Sequence, residues 1–149
     1  MTQKLIVIGA GMASGRVLEH LFDAGADYDV TLFNAEPRGN YNRIMLSPVL
    51  SGDKAYADIV THDADWYESN GVTCRFGERV ASIDRAARTV TADNGDVLPY
   101  DKLIFGTGSN PFIIPLPGHD LEGVIAYRDL EAVSYTHLTL PTNVQQCSS

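Results

Sequence analysis

The sequence predicts an α/β fold with a parallel sheet and an inserted antiparallel β-meander. An apolar run ends at a glycine and is followed by an amphipathic helix and a second apolar run. An Asn-Gly turn separates two later strand-like segments, and a further apolar run ends at a second glycine turn. The chain has 149 residues, 44% of them hydrophobic and 20% charged, which suits one core of ordinary size.

The first part of the chain has the pattern of a β-α-β unit. Residues 5–8 are a continuous apolar run, typical of a strand buried in a parallel sheet. Residues 14–24 carry apolar side chains at helical spacing, and Gly25 is a natural end for that helix. Residues 30–33 predict the second strand, so the unit closes within about 30 residues.

The middle of the chain predicts a long loop, a helix and several strands. Residues 37–53 indicate a loop with a short helix near 44–50, and a loop of this length usually has a function. A hairpin is predicted around Asn94-Gly95. Residues 110–118 hold three prolines and predict an extended crossing segment. The other predicted elements are a helix at 63–70 and strands at 72–76, 80–83, 89–92, 97–99 and 103–105.

A glycine motif lies between the first strand and the first helix. Gly9 permits a tight turn, and Gly11 lets the backbone approach a pyrophosphate at the helix N-terminus, where free N–H groups favour anions. Ser14 stands at the third motif position and is small enough for close packing. With Met12 and Ala13 these residues form the predicted phosphate-binding turn of a Rossmann-like half-domain.

The ribose-binding acid of such a unit is expected about 20 residues beyond the motif. That count reaches Asn34, which carries no carboxylate. Glu36 lies two residues further on and on the same side of an extended strand. We therefore predict that Glu36 binds the ribose hydroxyls with Asn34 as a helper; the alternative is a solvated loop glutamate.

The second glycine turn distinguishes FAD from NAD. The segment Gly106-Thr107-Gly108 ends a predicted strand and precedes the proline-rich crossing. It resembles the second fingerprint of flavoproteins with two dinucleotide-binding domains, in which the pattern usually reads Ala-Thr-Gly. The resemblance implies that Thr107 and Gly108 lie at the bound FAD, where larger side chains would clash.

The loop from Asn34 to Ser47 sharpens the resemblance. Glu36-Pro37, Tyr41-x-Arg43 and Leu46-Ser47 are similar to motifs of ferredoxin- and rubredoxin-reductase-like enzymes, with Pro48 where those enzymes have lysine. Residues 4–132 most resemble the large subunits of NAD(P)H-dependent assimilatory nitrite reductases. By that resemblance, Arg43 reaches the FAD phosphates or ribose and Ser47 borders the flavin.

The resemblance implies an activity for the intact protein. NAD(P)H would reduce FAD, and electrons would continue to iron–sulfur and siroheme centres that reduce nitrite. Those sites, the nicotinamide site and the C-terminal domains lie outside this chain, and a small subunit is a possible partner. We expect no catalytic residue and no metal site in this segment, and we expect the fragment alone to be unstable and inactive. The alternatives are a stand-alone NADH-dependent rubredoxin or ferredoxin reductase and a non-catalytic nucleotide-binding module.

Composition and charge exclude several other classes. A net charge of −8 without a basic cluster argues against nucleic acid as a partner. The sequence has no window typical of a membrane span or secretion signal, so the cytoplasm is the expected compartment. The two cysteines lack metal-ligand spacing, and Cys74 is predicted to be a core residue. His20, His62 and His119 are interpreted as surface or packing residues.

The last segment, residues 133–149, differs from the rest of the chain. It contains no Lys, Arg, Asp or Glu and shows neither helical nor strand periodicity clearly. The sequence of residues 133–142 resembles the translation of a sequencing-library adapter. We therefore expect the natural sequence to stop at about Ala132 and the tail to be non-native, the alternative being a disordered polar C-terminus.

Overall fold

The computed structural model describes residues 2–122 and 124–139, which divide into two compact units. The first comprises the chain up to Asn42 and Val60–Ser109, and the second comprises Arg43–Ile59 and the chain from Asn110. Short 3-10 helices lie at Arg43–Met45 and Tyr56–Ile59. The other elements are β1 (Gln3–Ile8), α1 (Met12–Asp23), β2 (Tyr28–Asn34), β3 (Asn40–Tyr41), α2 (Leu46–Leu50), β4 (Val60–His62), α3 (Ala64–Ser69), β5 (Thr73–Phe76), β6 (Val80–Asp84), β7 (Thr89–Ala92), β8 (Val97–Pro99), β9 (Lys102–Phe105) and α4 (Leu130–Thr139).

The first unit is built on a parallel sheet with strand order β5-β2-β1-β9. Ile8 lies opposite Phe33 on one side and Phe105 on the other, so β1, β2 and β9 end at the same edge. The turns that follow these strands therefore meet there, as the carboxyl ends of parallel strands do. The predicted α/β class with a parallel sheet is confirmed.

The sheet is covered on both faces, which explains the unbroken apolar run of β1. Leu5 and Val7 belong to a core cluster that includes Leu18 of α1. Ile6 and Ile8 belong to a second cluster that includes Val90 of β7. Successive side chains of a strand point to opposite faces, so both sets must be apolar when helices cover one face and the meander the other.

The meander is an antiparallel sheet of order β6-β7-β8. Thr89 lies opposite Pro99 and Thr91 opposite Val97, which places the turn at the predicted Asn94-Gly95. Gly95 has φ +93°, a conformation that glycine adopts without steric cost. The predicted hairpin and inserted meander are confirmed.

Two short strands were not predicted. β3 and β4 pair antiparallel, with Asn40 opposite His62 and Tyr41 opposite Val60. Neither is long enough to show an alternating pattern, because such a pattern needs about four residues. The predicted loop at 37–53 therefore begins with a strand, while α2 falls inside the short helix expected at 44–50.

The last described element of the second unit is α4, which continues seven residues beyond the boundary predicted at Ala132. Asp129 Oδ1 accepts the Ala132 N–H at 2.9 Å, an N-terminal cap, and Val133 is buried. The described part of the tail is therefore helical, contrary to the expectation from its missing periodicity. Its non-native origin stays a prediction, and residues 140–149 lie outside the described part.

Candidate functional site

The turn after β1 passes directly beside the turn after β9. Gly9 has φ +99° and donates its N–H to Phe33 O at 2.7 Å. A side chain at Gly9 would overlap the carbonyl group of Gly106, so this glycine is required by the fold itself. The two predicted glycine turns are thus brought together at the sheet edge.

The N-terminus of α1 opens without a protein cap. Gly11 is the N-cap residue, no side chain caps it, and the first turn carries no acidic residue. The nearest atom to a Cβ built on Gly11 would be Gly106 O at 3.7 Å, an ordinary van der Waals contact, so a methyl group would overlap no described atom. Met12 and Ala13 follow and are exposed. Unpaired N–H groups and the helix dipole make such a terminus suitable for an anion.

Ser14 lies behind the turn rather than on its surface. The residue is 2% exposed, and its hydroxyl has no hydrogen-bond partner among the described residues. A Cβ on Gly106 would overlap Ser14 Oγ. Ser14 therefore contacts the second glycine turn, and its cofactor role stays a prediction that this packing makes indirect.

Asn34, at the end of β2, is engaged with the protein at both ends of its amide. Its Oδ1 accepts the Ala10 N–H at 3.2 Å, and its Nδ2 donates to Arg38 O at 2.7 Å. The residue is buried. Asn34 thus fastens the glycine turn to the following loop, and its predicted help with the ribose remains untested.

Glu36 begins this loop and is half-buried. Its Oε2 accepts the Tyr41 hydroxyl at 2.8 Å, and its backbone carbonyl accepts the Gly77 N–H at 3.0 Å. The predicted ribose-binding carboxylate is therefore held in place rather than free in solvent. That Tyr41 holds this carboxylate was not predicted from the sequence, although Tyr41 is the first residue of the Tyr-x-Arg motif.

A shallow cavity of about 310 Å³ lies beside Thr107 in the first unit. Its walls are mostly apolar, which suits a flat aromatic group. The lining residues are Ile8, Val80, Ala81, Ser82, Ile83, Phe105 and Thr107. Thr107 and Gly108 are exposed at the end of the sheet. The contribution of β6 to the lining of this cavity was not predicted. The sequence pattern of a strand does not show which other parts of the protein its two faces contact.

The second unit contains the other two predicted site residues. Arg43 Nη1 donates to Arg128 O at 3.2 Å, and the Tyr127 hydroxyl donates to Ser47 Oγ at 3.4 Å. Arg43 and Ser47 are thus both joined to the Tyr127-Arg128 pair, some 80 residues along the chain. Their predicted contacts with FAD remain predictions.

Three titratable residues lie outside the predicted site and interact with the interior of the protein: His62, Cys74 and Tyr67. His62 is buried, with Asn40 Nδ2 donating to its Nδ1 at 3.0 Å and its Nε2–H donating to Glu19 Oε1 at 2.8 Å. Burial raises the pKa of the Cys74 thiol to about 11 and that of Tyr67 to about 12. Within residues 2–122 and 124–139, no group of His, Cys, Asp and Glu is arranged to hold a metal ion.

The helices of the described residues include none with the length and apolar character needed to cross a membrane.

Several known proteins are similar to this chain. Nitrite reductase [NAD(P)H] of Bacillus subtilis is 45% identical over 130 residues, which cover 87% of this chain and 16% of that protein. The nitrite reductase (NADH) large subunit of Escherichia coli is 36% identical over 86% of this chain and 15% of its own length. The chain therefore spans about a sixth of the length of these relatives.

The fold has close counterparts among solved structures. A ferredoxin reductase from Rhodopseudomonas palustris matches with a TM-score of 0.83 and 22% identity, covering 92% of this chain and 34% of that one. NADH:rubredoxin oxidoreductase from Clostridium acetobutylicum matches with a TM-score of 0.64 and 30% identity, covering 77% and 30%. The family model described as pyridine nucleotide-disulphide oxidoreductase matches residues 3–143. This chain belongs to the pyridine nucleotide-disulphide oxidoreductase family.

Proposed function

We propose that this chain is the FAD-binding segment of an NAD(P)H-dependent oxidoreductase of the nitrite reductase type. The observation that carries the proposal is the meeting of two glycine turns at an uncapped helix N-terminus, with a fixed carboxylate in the loop that follows the next strand. A dinucleotide needs these features, because its pyrophosphate requires N–H donors and its ribose requires an acceptor.

The first unit fits the ADP half of FAD. The pyrophosphate would lie at Gly11, Met12 and Ala13, where the helix has no side-chain cap and its first turn carries no acidic residue. Glu36 would accept the ribose hydroxyls. The adenine would enter the apolar cavity beside Thr107, whose volume of about 310 Å³ is at the lower end of small-molecule sites.

Two residues of the second unit are also proposed to contact FAD, by the resemblance to the reductases. Arg43, tied to the Arg128 carbonyl, would hold FAD phosphates or ribose, and Ser47 would border the flavin. When bound, FAD converts the two-electron chemistry of NAD(P)H into single-electron steps. The nicotinamide, iron–sulfur and siroheme sites, and any small subunit, would belong to the longer protein, which would work in the cytoplasm.

Titration of the 149-residue chain with FAD tests the binding proposal. Trp66, the single tryptophan, provides the fluorescence signal. ADP should displace FAD far more effectively than FMN does, because the first unit is fitted to the adenosine and pyrophosphate. The proposal fails if FAD does not bind, or if FMN competes as well as ADP.

A second candidate is a stand-alone NADH-dependent rubredoxin or ferredoxin reductase, favoured by the 30% identity to NADH:rubredoxin oxidoreductase. The coding sequence downstream of Ala132 separates the two, because siroheme-type cysteine sets favour nitrite reductase. A nicotinamide-binding domain followed by a stop codon favours the reductase. Loss of the nicotinamide motif would instead favour a nucleotide-binding module without turnover.

A further inference from the structure

One hydrogen bond joins a buried tyrosine to the carboxylate proposed for the ribose. The Tyr41 hydroxyl donates to Glu36 Oε2 over 2.8 Å. The acceptor is a carboxylate, and hydrogen bonds to charged groups are stronger than those between neutral groups. A glutamate side chain loses considerable conformational entropy when it is held in one rotamer. The free energy of the hydrogen bond to Tyr41 offsets part of that loss.

The donor itself is held firmly. Tyr41 is 3% exposed, and its backbone pairs with Val60 across the β3–β4 ladder. The ring is therefore packed and its hydroxyl has a defined position. Glu36 is fixed at its backbone as well, because its carbonyl accepts the Gly77 N–H at 3.0 Å.

The loop between the two residues is also anchored. Asn34 Nδ2 donates to Arg38 O at 2.7 Å, midway between Glu36 and Tyr41. The same amide accepts the Ala10 N–H of the glycine turn. The carboxylate is thus tied through one network to the turn at which the pyrophosphate would lie.

From this geometry we propose that Tyr41 is a positioning residue, which orients the Glu36 carboxylate toward the 2′ and 3′ hydroxyls of the bound adenosine. The inference rests on the proposed FAD-binding function. A carboxylate has about four acceptor positions, so the tyrosine bond and a diol can be accepted together. Orienting the acceptor before the ligand arrives reduces the entropy lost on binding.

Tyr41→Phe tests the inference, because it keeps the ring and removes only the donor. Binding of ADP and of 2′,3′-dideoxy-ADP to the 149-residue chain is measured by calorimetry. The wild-type chain should prefer ADP, and the substitution should reduce that preference about tenfold, the loss expected for one hydrogen bond to a charged group. The affinity for the dideoxy nucleotide should not change, whereas general damage to the fold would lower the affinity for both nucleotides.

Two controls separate the possible failures. Tyr28→Phe changes a half-buried tyrosine at the opposite end of β2 and should leave the preference for ADP intact. In a Glu36→Ala background, which leaves the Tyr41 hydroxyl no acceptor at this position, Tyr41→Phe should change the preference little. If the wild-type chain binds neither FAD nor ADP, the proposed function is wrong. If it binds FAD but shows no preference for ADP over the dideoxy nucleotide, or if Tyr41→Phe keeps the preference in full, the role of Tyr41 is wrong while FAD binding stands.

Discussion

Ser14 and Gly106 show how two unusual residues depend on each other. The third position of the glycine motif is normally Gly or Ala, and the flavoprotein fingerprint that residues 106–108 resemble has Ala where this chain has Gly106. The larger residue at 14 is accommodated by the smaller one at 106, because a methyl group at 106 would overlap Ser14 Oγ. The two departures therefore compensate in volume.

A double-mutant cycle measures this compensation. Gly106→Ala should lower the free energy of unfolding by about 1–2 kcal/mol, since Ser14 must rotate and its Cβ is still crowded at 3.2 Å. Ser14→Ala alone should change stability by less than about 1 kcal/mol, because it also removes an unpartnered buried hydroxyl. The pair Ser14→Ala and Gly106→Ala should recover most of the loss in urea unfolding. Strict additivity would show that the two positions are independent.

Cys74 provides a prediction for pH dependence. Burial raises the pKa of its thiol from 9.0 to about 11 in the folded chain. The unfolded chain therefore ionises first as pH rises, so this thiol's contribution to stability is complete below about pH 9 and is lost as pH rises toward 11. In a Cys147→Ser background, reaction with a disulfide reagent at pH 8 should be at least about tenfold slower for native than for urea-unfolded protein. Equal rates would contradict the partial burial of this thiol.

At the level of elements, α1 packs against the antiparallel β3–β4 pair. Glu19 of α1 accepts a hydrogen bond from His62, which in turn accepts one from Asn40. Gly15, one turn before Glu19, leaves no room for a methyl group, because a Cβ there would be 2.8 Å from His62 Nδ1. The buried histidine thus sets the distance between α1 and the β3–β4 pair.

Gly15→Ala tests that contact against helix propensity. Alanine in a helix interior is favoured over glycine by about 1 kcal/mol, so an unconstrained site would gain stability. Here we expect a loss of about 1–3 kcal/mol from overpacking. Arg16→Ala, on the exposed side of the same helix, should change stability by less than about 1 kcal/mol. A stabilising Gly15→Ala would refute the bracing role of His62.

The elements differ in how far the sequence predicts them. β1, α1 and the hairpin at Asn94-Gly95 were predicted because each has a long enough period or a specific turn signal. β3 and β4 were missed because two- and three-residue strands have no period and form through pairing between distant segments. α4 was missed because the sequence of its C-terminal part shows no apolar residues at helical spacing. Asp129, the N-cap residue, was the one feature of the sequence that could have indicated the helix.

The candidate site was predictable to a similar, limited extent. Gly9 and Gly11 were predicted from the glycine motif between a strand and a helix, and Glu36 was predicted as the carboxylate two residues beyond Asn34, the position that the spacing reaches. The network that holds Glu36 was not predictable, because Tyr41 and Gly77 reach it through tertiary contacts that spacing does not encode. The internal use of the Asn34 amide likewise emerged only from the structure.

At the scale of the whole molecule, much apolar surface is left exposed. β9 is an edge strand of the described sheet, and Phe105 at its end is exposed. A run of apolar side chains in the second unit is exposed as well: Phe112, Ile113, Ile114, Leu116 and Leu121. Surface of this kind normally lies against other parts of a protein. The 149-residue chain spans only about a sixth of the length of its nitrite reductase relatives. The exposed apolar surface agrees with the proposal that this chain is a segment of a longer protein.

We therefore expect the chain alone to have low stability and no NADH oxidation activity. Saturation with FAD at 100 times its dissociation constant should add about 2.7 kcal/mol to the free energy of unfolding and raise Tm. Thermal scans with and without FAD, together with an NADH oxidation assay, check this expectation. Steady turnover by the isolated chain would show that it contains a complete enzyme.

The central claim is that the α1 N-terminus holds the FAD pyrophosphate, and Gly11→Ala tests it most directly. A methyl group at this position would lie in ordinary van der Waals contact with Gly106 O, at 3.7 Å, so the substitution should lower the free energy of unfolding by no more than about 1 kcal/mol. Gly9→Ala is the contrasting variant, since it overlaps Gly106 and should damage the fold itself. We predict that Gly11→Ala keeps the Tm of the ligand-free chain within a few degrees and weakens FAD binding at least about tenfold, because the methyl group occupies the space of the phosphate. Unchanged FAD affinity in a folded Gly11→Ala chain would contradict the account.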